Sequence, residues 1–427
     1  APADAASASR AAELAMRSYF RAAGEIALLD KAGSAEASVE QPLASELLAE
    51  LGPVDMADGA LLAQFVKTAT ARFPAKKTAL IMWDHGGGSV SGYGYDEKNK
   101  TAGSMSLAGI NTALKNAGMK FDFIGFDACL MATVENGLML AKYGDYMIAS
   151  EETEPGVGWY YTNWLTKLSS NTSMSTVQIG KLIADDFVSV CNQQSRGQAT
   201  TLSVVDLAEL QATIPQELKQ FSISASEMIQ NKEYKTISKA RNSTREFAQS
   251  SRIDQIDLID FANQLGTTAG KNLAGALQSA VKYNRTGGSM SRAYGLSIYF
   301  PYQRANKVNQ MVSTYQAIGM DEEYTRCIQE FASLEISGQV SAGTSLSSYG
   351  SSSSAPQDLL SSLLGQQGSS ASSYSAGSLS ELLGGLYGGS GSGSTGSILD
   401  LFMGRSMTAE SAVAYILDNH PTAFSLQ

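Results

Sequence analysis

Residues 78–96 read TALIMWDHGGGSVSGYGYD. Thr78 to Trp83 form a short apolar run with no polar alternation, the mark of a buried strand. The run stops at Asp84-His85 and passes into Gly86, Gly87 and Gly88. The chain has 427 residues and only two histidines, one of which stands here. A histidine so placed has a rigid strand behind it and, on glycine backbone, an open floor where a substrate chain approaches closely. A second apolar run, FDFIGFDA (121–128), ends the same way, at Asp127-Ala128-Cys129.

Working outward, GALLAQFVKTATARF (59–73) has apolar residues at helical spacing and is closed by Pro74. SLAGINTALKNAG (106–118) predicts a helix stopped by Gly118, and LMATVENGLMLAKYG (130–144) one ending at Gly144. DYMIAS (145–150) predicts a third strand, and TTLSVVDL (200–207) another. Helices are expected near 176–192, 206–230 and 254–265. GLSIYFP (295–301) reads as a late buried strand, and a helix carrying Cys327 follows it. Strands alternating with helices predict an α/β fold with a mainly parallel sheet covered on both faces.

Residues 1–52 are rich in Ala, Glu and Leu and read as an atypical helical or irregular segment ahead of a core spanning 53–337. From 338 to 397 the composition becomes Ser/Gly-rich linker, interrupted by DLLSSLLG, LSELLGGLY and ILDLFMG near 358, 379 and 398. These apolar clusters read either as marginal helical turns or as segments docking in a groove of the core or of a partner. Residues 398–427 form a C-terminal helical segment, with Thr408 as its cap and His420, given no catalytic role, near its end.

The formal net charge is −10, so the chain lacks the basic footprint of a nucleic-acid binder. No apolar stretch approaches the length of a membrane span, and the N-terminus shows no signal architecture. Three cysteines, Cys129, Cys191 and Cys327, make no disulfide framework. Cys191 and Cys327 lie in apolar helical patterns and read as core residues. Dispersed histidines without a cysteine pair cannot cage zinc. GGGSVSG lacks the Lys-Ser/Thr ending of a phosphate loop, and no G-x-S-x-G elbow accompanies HGGG.

In an open α/β sheet, ligands bind at the carboxyl ends of the strands. If strands 78–83 and 121–127 are parallel neighbours, His85 and Cys129 converge although 44 positions separate them. Such a pair is the simplest thiol nucleophile with its base. A helix beginning at Leu130 would favour the Cys129 thiolate. The bare glycines leave a backbone N–H free to face an oxyanion. Taken singly, a strand-end histidine and a lone cysteine are more often structural, and that reading stays open on these grounds.

Several stretches resemble the clostripain family of cysteine peptidases, which share the caspase-like fold. They are FPAKKTALIMWDHGGG (73–88), FDFIGFDACLMATVE (121–135), YMIASEETEPGVGWYY (146–161), DLIDFA (257–262) and GLSIYFP (295–301). Their order and spacing match over roughly residues 53–335. The resemblance implies Cys129 as nucleophile and His85 as general acid/base, with the N–H groups of Gly86 and Cys129 as the oxyanion hole. It implies cleavage after Arg or Lys, with Asp127 in the S1 pocket. The other S1 candidates are Glu151, Glu152, Glu154 and Trp159; Asp127 as a helix cap and Trp159 as a core residue are the alternatives. Val157 stands where some relatives carry an acid, which would weaken or shift the preference for basic residues.

The resemblance also implies a zymogen cut between the histidine and the cysteine. YGYDEKNKTAGSMS (93–106) offers Lys100–Thr101 first and Lys98–Asn99 second. It implies a secreted or cell-surface enzyme acting on peptides or proteins. No cofactor is required for the chemistry; calcium stays open, though no Asp-x-Asp-x-Asp-Gly loop is present. The family's first strand is missing from 1–52. The rival reading is a catalytically silent binding or assembly module. In either case the 338–427 tail is a candidate for docking, and in the enzyme it could occupy the cleft.

Overall fold

The computed structural model describes residues 54–288 and 290–340, together with the backbone of two strands in the N-terminal stretch. Those strands, β1 (Glu25–Leu29) and β2 (Ser45–Glu50), pair antiparallel. At those positions they replace the helical or irregular expectation. The apolar clusters of the Ser/Gly-rich tail, the 408–421 helix and His420 lie outside the described residues.

The remaining unit is built on a five-stranded sheet. Its strands are β3 (Ala79–Trp83), β4 (Phe121–Asp127), β5 (Gly144–Ala149), β6 (Thr201–Asp206) and β8 (Val281–Thr286), in that spatial order. β7 (Gln255–Asp257) pairs antiparallel with β9 (Ser297–Tyr299) in a separate two-stranded ribbon. β3, β4 and β5 are parallel, and β6 and β8 add antiparallel at the far edge. The region that carries the expected site is thus parallel, as the alternation of strands and helices implies.

β4 is buried along nearly its whole length because helices cover both faces of the sheet. On one face, helix Thr176–Gln194 packs so closely that a Cβ on Gly180 would fall 2.7 Å from a Val204 methyl. On the other, helices Val134–Leu140 and Leu207–Gln230 approach at Gly137, where a Cβ would lie 2.6 Å from Leu210. Helix starts follow side-chain caps: Ser106, Thr133, Asp206 and Asp257 each accept an N–H of the first turn.

The helix after Cys129 differs from expectation. It begins at Val134, not Leu130, because the Thr133 hydroxyl accepts the Asn136 N–H, 3.0 Å, and ends at Leu140. Gly144 opens β5 rather than closing a helix. The 254–265 segment divides into β7 and helix Leu258–Leu265, with Asp257 as the shared boundary and cap. The late strand 295–301 is found as β9, in the ribbon rather than the main sheet. β8, sequence VKYNRT, is half polar and only partly buried, and sequence periodicity does not reveal it.

Candidate active site

β3 and β4 run in register, with Trp83 opposite Asp127. Asp84-His85 and Ala128-Cys129 therefore leave the sheet at one edge, side by side. A Cβ on Gly86 would fall 2.1 Å from the Cys129 carbonyl oxygen and 3.0 Å from its nitrogen. The residue after the histidine thus rests its Cα directly on the backbone of the cysteine.

The glycines do more than clear a floor for substrate. A Cβ on Gly88 would fall 2.0 Å from Gln255 Oε1 and 3.2 Å from the Leu130 carbonyl oxygen. Gly88 also holds φ +62, a left-handed conformation that glycine adopts without strain. The loop is closed by Gly94 N–H donating to the His85 carbonyl, 2.9 Å, and Gly87 N–H to that of Gly92, 2.8 Å. In this pairing Gly86 faces Tyr93 at a position where the ladder does not use the Gly86 N–H. Asp84 braces the turn by accepting the His85 N–H at 2.5 Å and the Tyr95 N–H at 3.4 Å. Burial pushes the Asp84 carboxyl up, opposed by the His85 N–H and the neighbouring imidazole.

Cys129 does not start a helix. Leu130 beside it is fully buried at φ +69, which costs a non-glycine residue about 1–2 kcal/mol. Two hydrogen bonds hold that elbow. Leu130 N–H donates to the Glu152 carbonyl, 3.1 Å, and Gln255 Nε2–H donates to the Leu130 carbonyl, 2.9 Å. Without the helix terminus, the expected thiolate stabilisation is lost. Cys129 is 8% exposed, and burial pushes its thiol up to about 12. The Glu154 N–H, 3.2 Å from Sγ, pulls the other way, while the charges of Glu154 and Glu152 add to the rise. Cys129 thus rests buried against the 150–158 loop, with its sulfur on the Glu154 N–H.

The acids separate into two buried pairs. Asp127 is 3% exposed; its two oxygens receive the Trp159 N–H at 3.1 and 3.3 Å, and Oδ2 receives the Tyr161 hydroxyl at 2.8 Å. Burial raises the Asp127 carboxyl to about 6. Glu154 faces Asp127, and its buried oxygens receive no well-formed hydrogen bond among the described residues. Burial first, then the Asp127 charge, push Glu154 well above the usual carboxylate range. The second pair is Glu151 with Asp257. Gly295 N–H donates to Glu151, 2.8 Å, while Asp257 caps its helix and is raised to about 7 by burial.

Glu152 belongs to neither pair. Its Oε1 accepts the Thr153 N–H at 2.8 Å and the Ala248 N–H at 3.1 Å, so its carboxylate struts the loop to another segment. Trp159 is buried. A Cβ on Gly125 of β4 would lie 2.9 Å from its indole, which thus packs on the sheet. Its backbone N–H is what holds Asp127. Sequence reasoning missed Tyr161 and Gln255. Tyr161 sits in an aromatic run beside Trp159, and Gln255 in a stretch that reads as helix, so neither carried a signal of its own.

Lys98 and Lys100 are exposed on the loop between Tyr93 and Met105. That loop is pinned at its base by reciprocal bonds of 2.9 and 2.8 Å between those two residues. Asp96 shapes the tip by accepting the N–H groups of Lys98, Asn99 and Met56. Cys191 and Cys327 are buried and unbridged, as their helical patterns suggest.

A histidine and a cysteine at adjacent parallel strand ends, with buried acids beside the thiol, define the class of α/β cysteine hydrolases. The clostripain family model matches residues 28–374, reaching past both ends of the 53–337 core expected from sequence. The chain belongs to the clostripain family of cysteine peptidases. No curated protein matches it.

Similar solved structures include a secreted C11 cysteine protease from Bacteroides thetaiotaomicron in complex with an irreversible peptide inhibitor. It is 20% identical at TM-score 0.49, over 73% of this chain and 96% of that one. An inactive zymogen C11 protease from Parabacteroides distasonis is 19% identical at TM-score 0.47, over 69% and 84%. Family membership rests on the sequence match.

Proposed function

We propose that this cysteine peptidase cleaves after Arg or Lys, with Cys129 as nucleophile and His85 as its acid and base. The observation that carries the assignment is the seating of Gly86 on the Cys129 backbone, with buried Asp127 two residues before the thiol. On substrate arrival the Cys129 proton passes to His85, and sulfur attacks the scissile carbonyl carbon. The oxyanion faces the Gly86 and Cys129 N–H groups. His85 then gives its proton to the leaving amine, and the C–N bond breaks to leave an acyl-thioester. Water, deprotonated by His85, releases the acid and restores the thiol. None of these steps asks for a cofactor.

Asp127 and Glu154 supply the S1 charge. A guanidinium or ammonium entering between them replaces the proton they hold and provides the donors that Glu154 lacks. The covered thiol suits a precursor, and exposed Lys98 and Lys100 suit self-cleavage. Lys100–Thr101 is the first bond expected to be cut, Lys98–Asn99 the second. Doubly substituting both lysines by Gln should leave the chain whole and of low activity. Secretion and action on extracellular peptides or proteins follow from the same reading. Among the described residues no helix is long and apolar enough to cross a membrane.

The test is a peptide panel with Arg, Lys, Asp or Leu at P1, under reducing conditions, with Cys129→Ala alongside. Hydrolysis after Arg or Lys that disappears in the variant is expected. Hydrolysis after Asp or Leu would remove the S1 assignment and keep the nucleophile. Undiminished cleavage by Cys129→Ala would remove the nucleophile itself.

A further inference from the structure

Gln255 lies on β7, outside the main sheet, yet its side chain reaches the turn that carries Cys129. It is fully buried. Its Nε2 donates to the Leu130 carbonyl at 2.9 Å and to the Ser297 hydroxyl at 2.8 Å. Ser297, on β9, in turn donates its hydroxyl to the Ala132 carbonyl, 3.0 Å, and its backbone N–H to the same oxygen, 2.9 Å. The β7–β9 ribbon thereby grips the 130–132 segment from behind.

The other end of the same amide touches the histidine loop. Gln255 Oε1 accepts no hydrogen bond among the described residues and lies against the Cα of Gly88. Gly88 is three residues after His85, and Leu130 is one after Cys129. One side chain therefore contacts both loops. Leu130 sits at φ +69, a conformation the backbone leaves readily once its anchors go. Relaxation there would turn the Cys129 N–H and Sγ away from Gly86 and His85.

We infer that Gln255 is a positioning residue, which holds the Cys129–Leu130 elbow and the His85–Gly88 loop in reactive register through its contacts with the Leu130 carbonyl and Gly88. The inference rests on Cys129 as the nucleophile. It predicts an effect on the chemical step rather than on substrate capture, because Asp127 takes its hydrogen bonds from Trp159 and Tyr161, not from Gln255.

The experiment compares wild type, Cys129→Ala, Gln255→Met and Gln255→Glu in the full chain, using an Arg-P1 peptide between pH 5 and 9. Methionine keeps the length and loses the donor. Its kcat should fall about 10- to 100-fold, as ångström-scale misplacement of reacting groups does, with KM within about twofold. Glutamic acid donates to the Leu130 carbonyl only while protonated. The kcat of Gln255→Glu should therefore approach wild type at pH 5 and decline with rising pH more steeply than wild type does. That conservative, pH-gated rescue is a readout a mere packing role would not produce.

Wild-type kcat in Gln255→Met, or equal loss in Gln255→Glu at every pH, would overturn the inference. So would a parallel rise in KM with loss of thermal stability. Cys129→Ala separates the two levels: if it stays active the nucleophile assignment fails, whereas an inactive Cys129→Ala beside an unaffected Gln255→Met removes only the role of Gln255.

Discussion

Asp127 and Glu154 are two carboxyls in one buried place, and such a pair cannot readily carry two charges. Asp127, raised to about 6 by burial, keeps its proton below that pH and loses it above. With this pair as the proposed S1 pocket, a basic P1 side chain would bind the ionised form and expel a proton under acidic conditions. The ratio of kcat/KM for Arg over citrulline at P1 should therefore climb as pH rises from 5 to 7. Taking the ratio cancels the titration of Cys129 and His85. Asp127→Asn should flatten the climb and lower the ratio at pH 8 by about 30-fold or more, the usual scale for removing one partner of a buried charge pair. A wild-type ratio independent of pH would contradict the shared proton. The sequence shows Asp127 by its place before Cys129. It cannot show that Glu154 turns inward while Glu152 turns to Ala248, because three acids within four residues look alike until the loop folds.

The ends of β3 and β4 are the element that makes the site, and Gly86 is where they touch. Gly86→Ala places a methyl 2.1 Å from the Cys129 carbonyl, a backbone atom that cannot swing aside. The strand ends must separate. A loss of about 100-fold or more in kcat is expected, with a stability cost of about 1–3 kcal/mol from overpacking. Gly275→Ala is the control. Gly275 lies in helix Thr268–Ala280 with open space around it, and alanine there should stabilise by about 0.5–1 kcal/mol without touching activity. Kinetics and urea unfolding on both variants test the pair, and Gly86→Ala at full activity would show that the contact does not matter.

At this scale β3, β4, β5 and β6 were legible, since unbroken apolar runs mark strands covered on both faces. β8 was not, because an edge strand needs no apolar pattern. The helix after Cys129 was read four residues too early. Leu130, Met131 and Ala132 are buried in a turn rather than in a helix, and only the Thr133 cap marks the true start.

Across the described residues, buried and half-buried acids hold protons that the unfolded chain would release. Asp127 stands at about 6, Asp257 at about 7 and Glu335 at about 8, each raised chiefly by burial. Folded values above unfolded ones mean that the native state binds the extra protons. That stability is fully present below the unfolded carboxyl range and is lost as pH rises through the folded values. The melting temperature should therefore fall steadily between pH 5.5 and 8.5, measured by scanning calorimetry. A rise over that window would show these acids to be ionised in the fold.

The sequence by itself determined the strands β3 to β6, the two reactive ends and the kinship, because burial on both faces and the order of short motifs leave marks in one dimension. The tertiary structure alone decided which acid joins Asp127, why Gly86 and Gly88 are glycines, and that Gln255 braces the elbow. Those facts depend on atoms brought together from segments 27 (Asp127 and Glu154) to 167 (Gly88 and Gln255) positions apart in the chain. No local pattern of propensity or spacing encodes that approach.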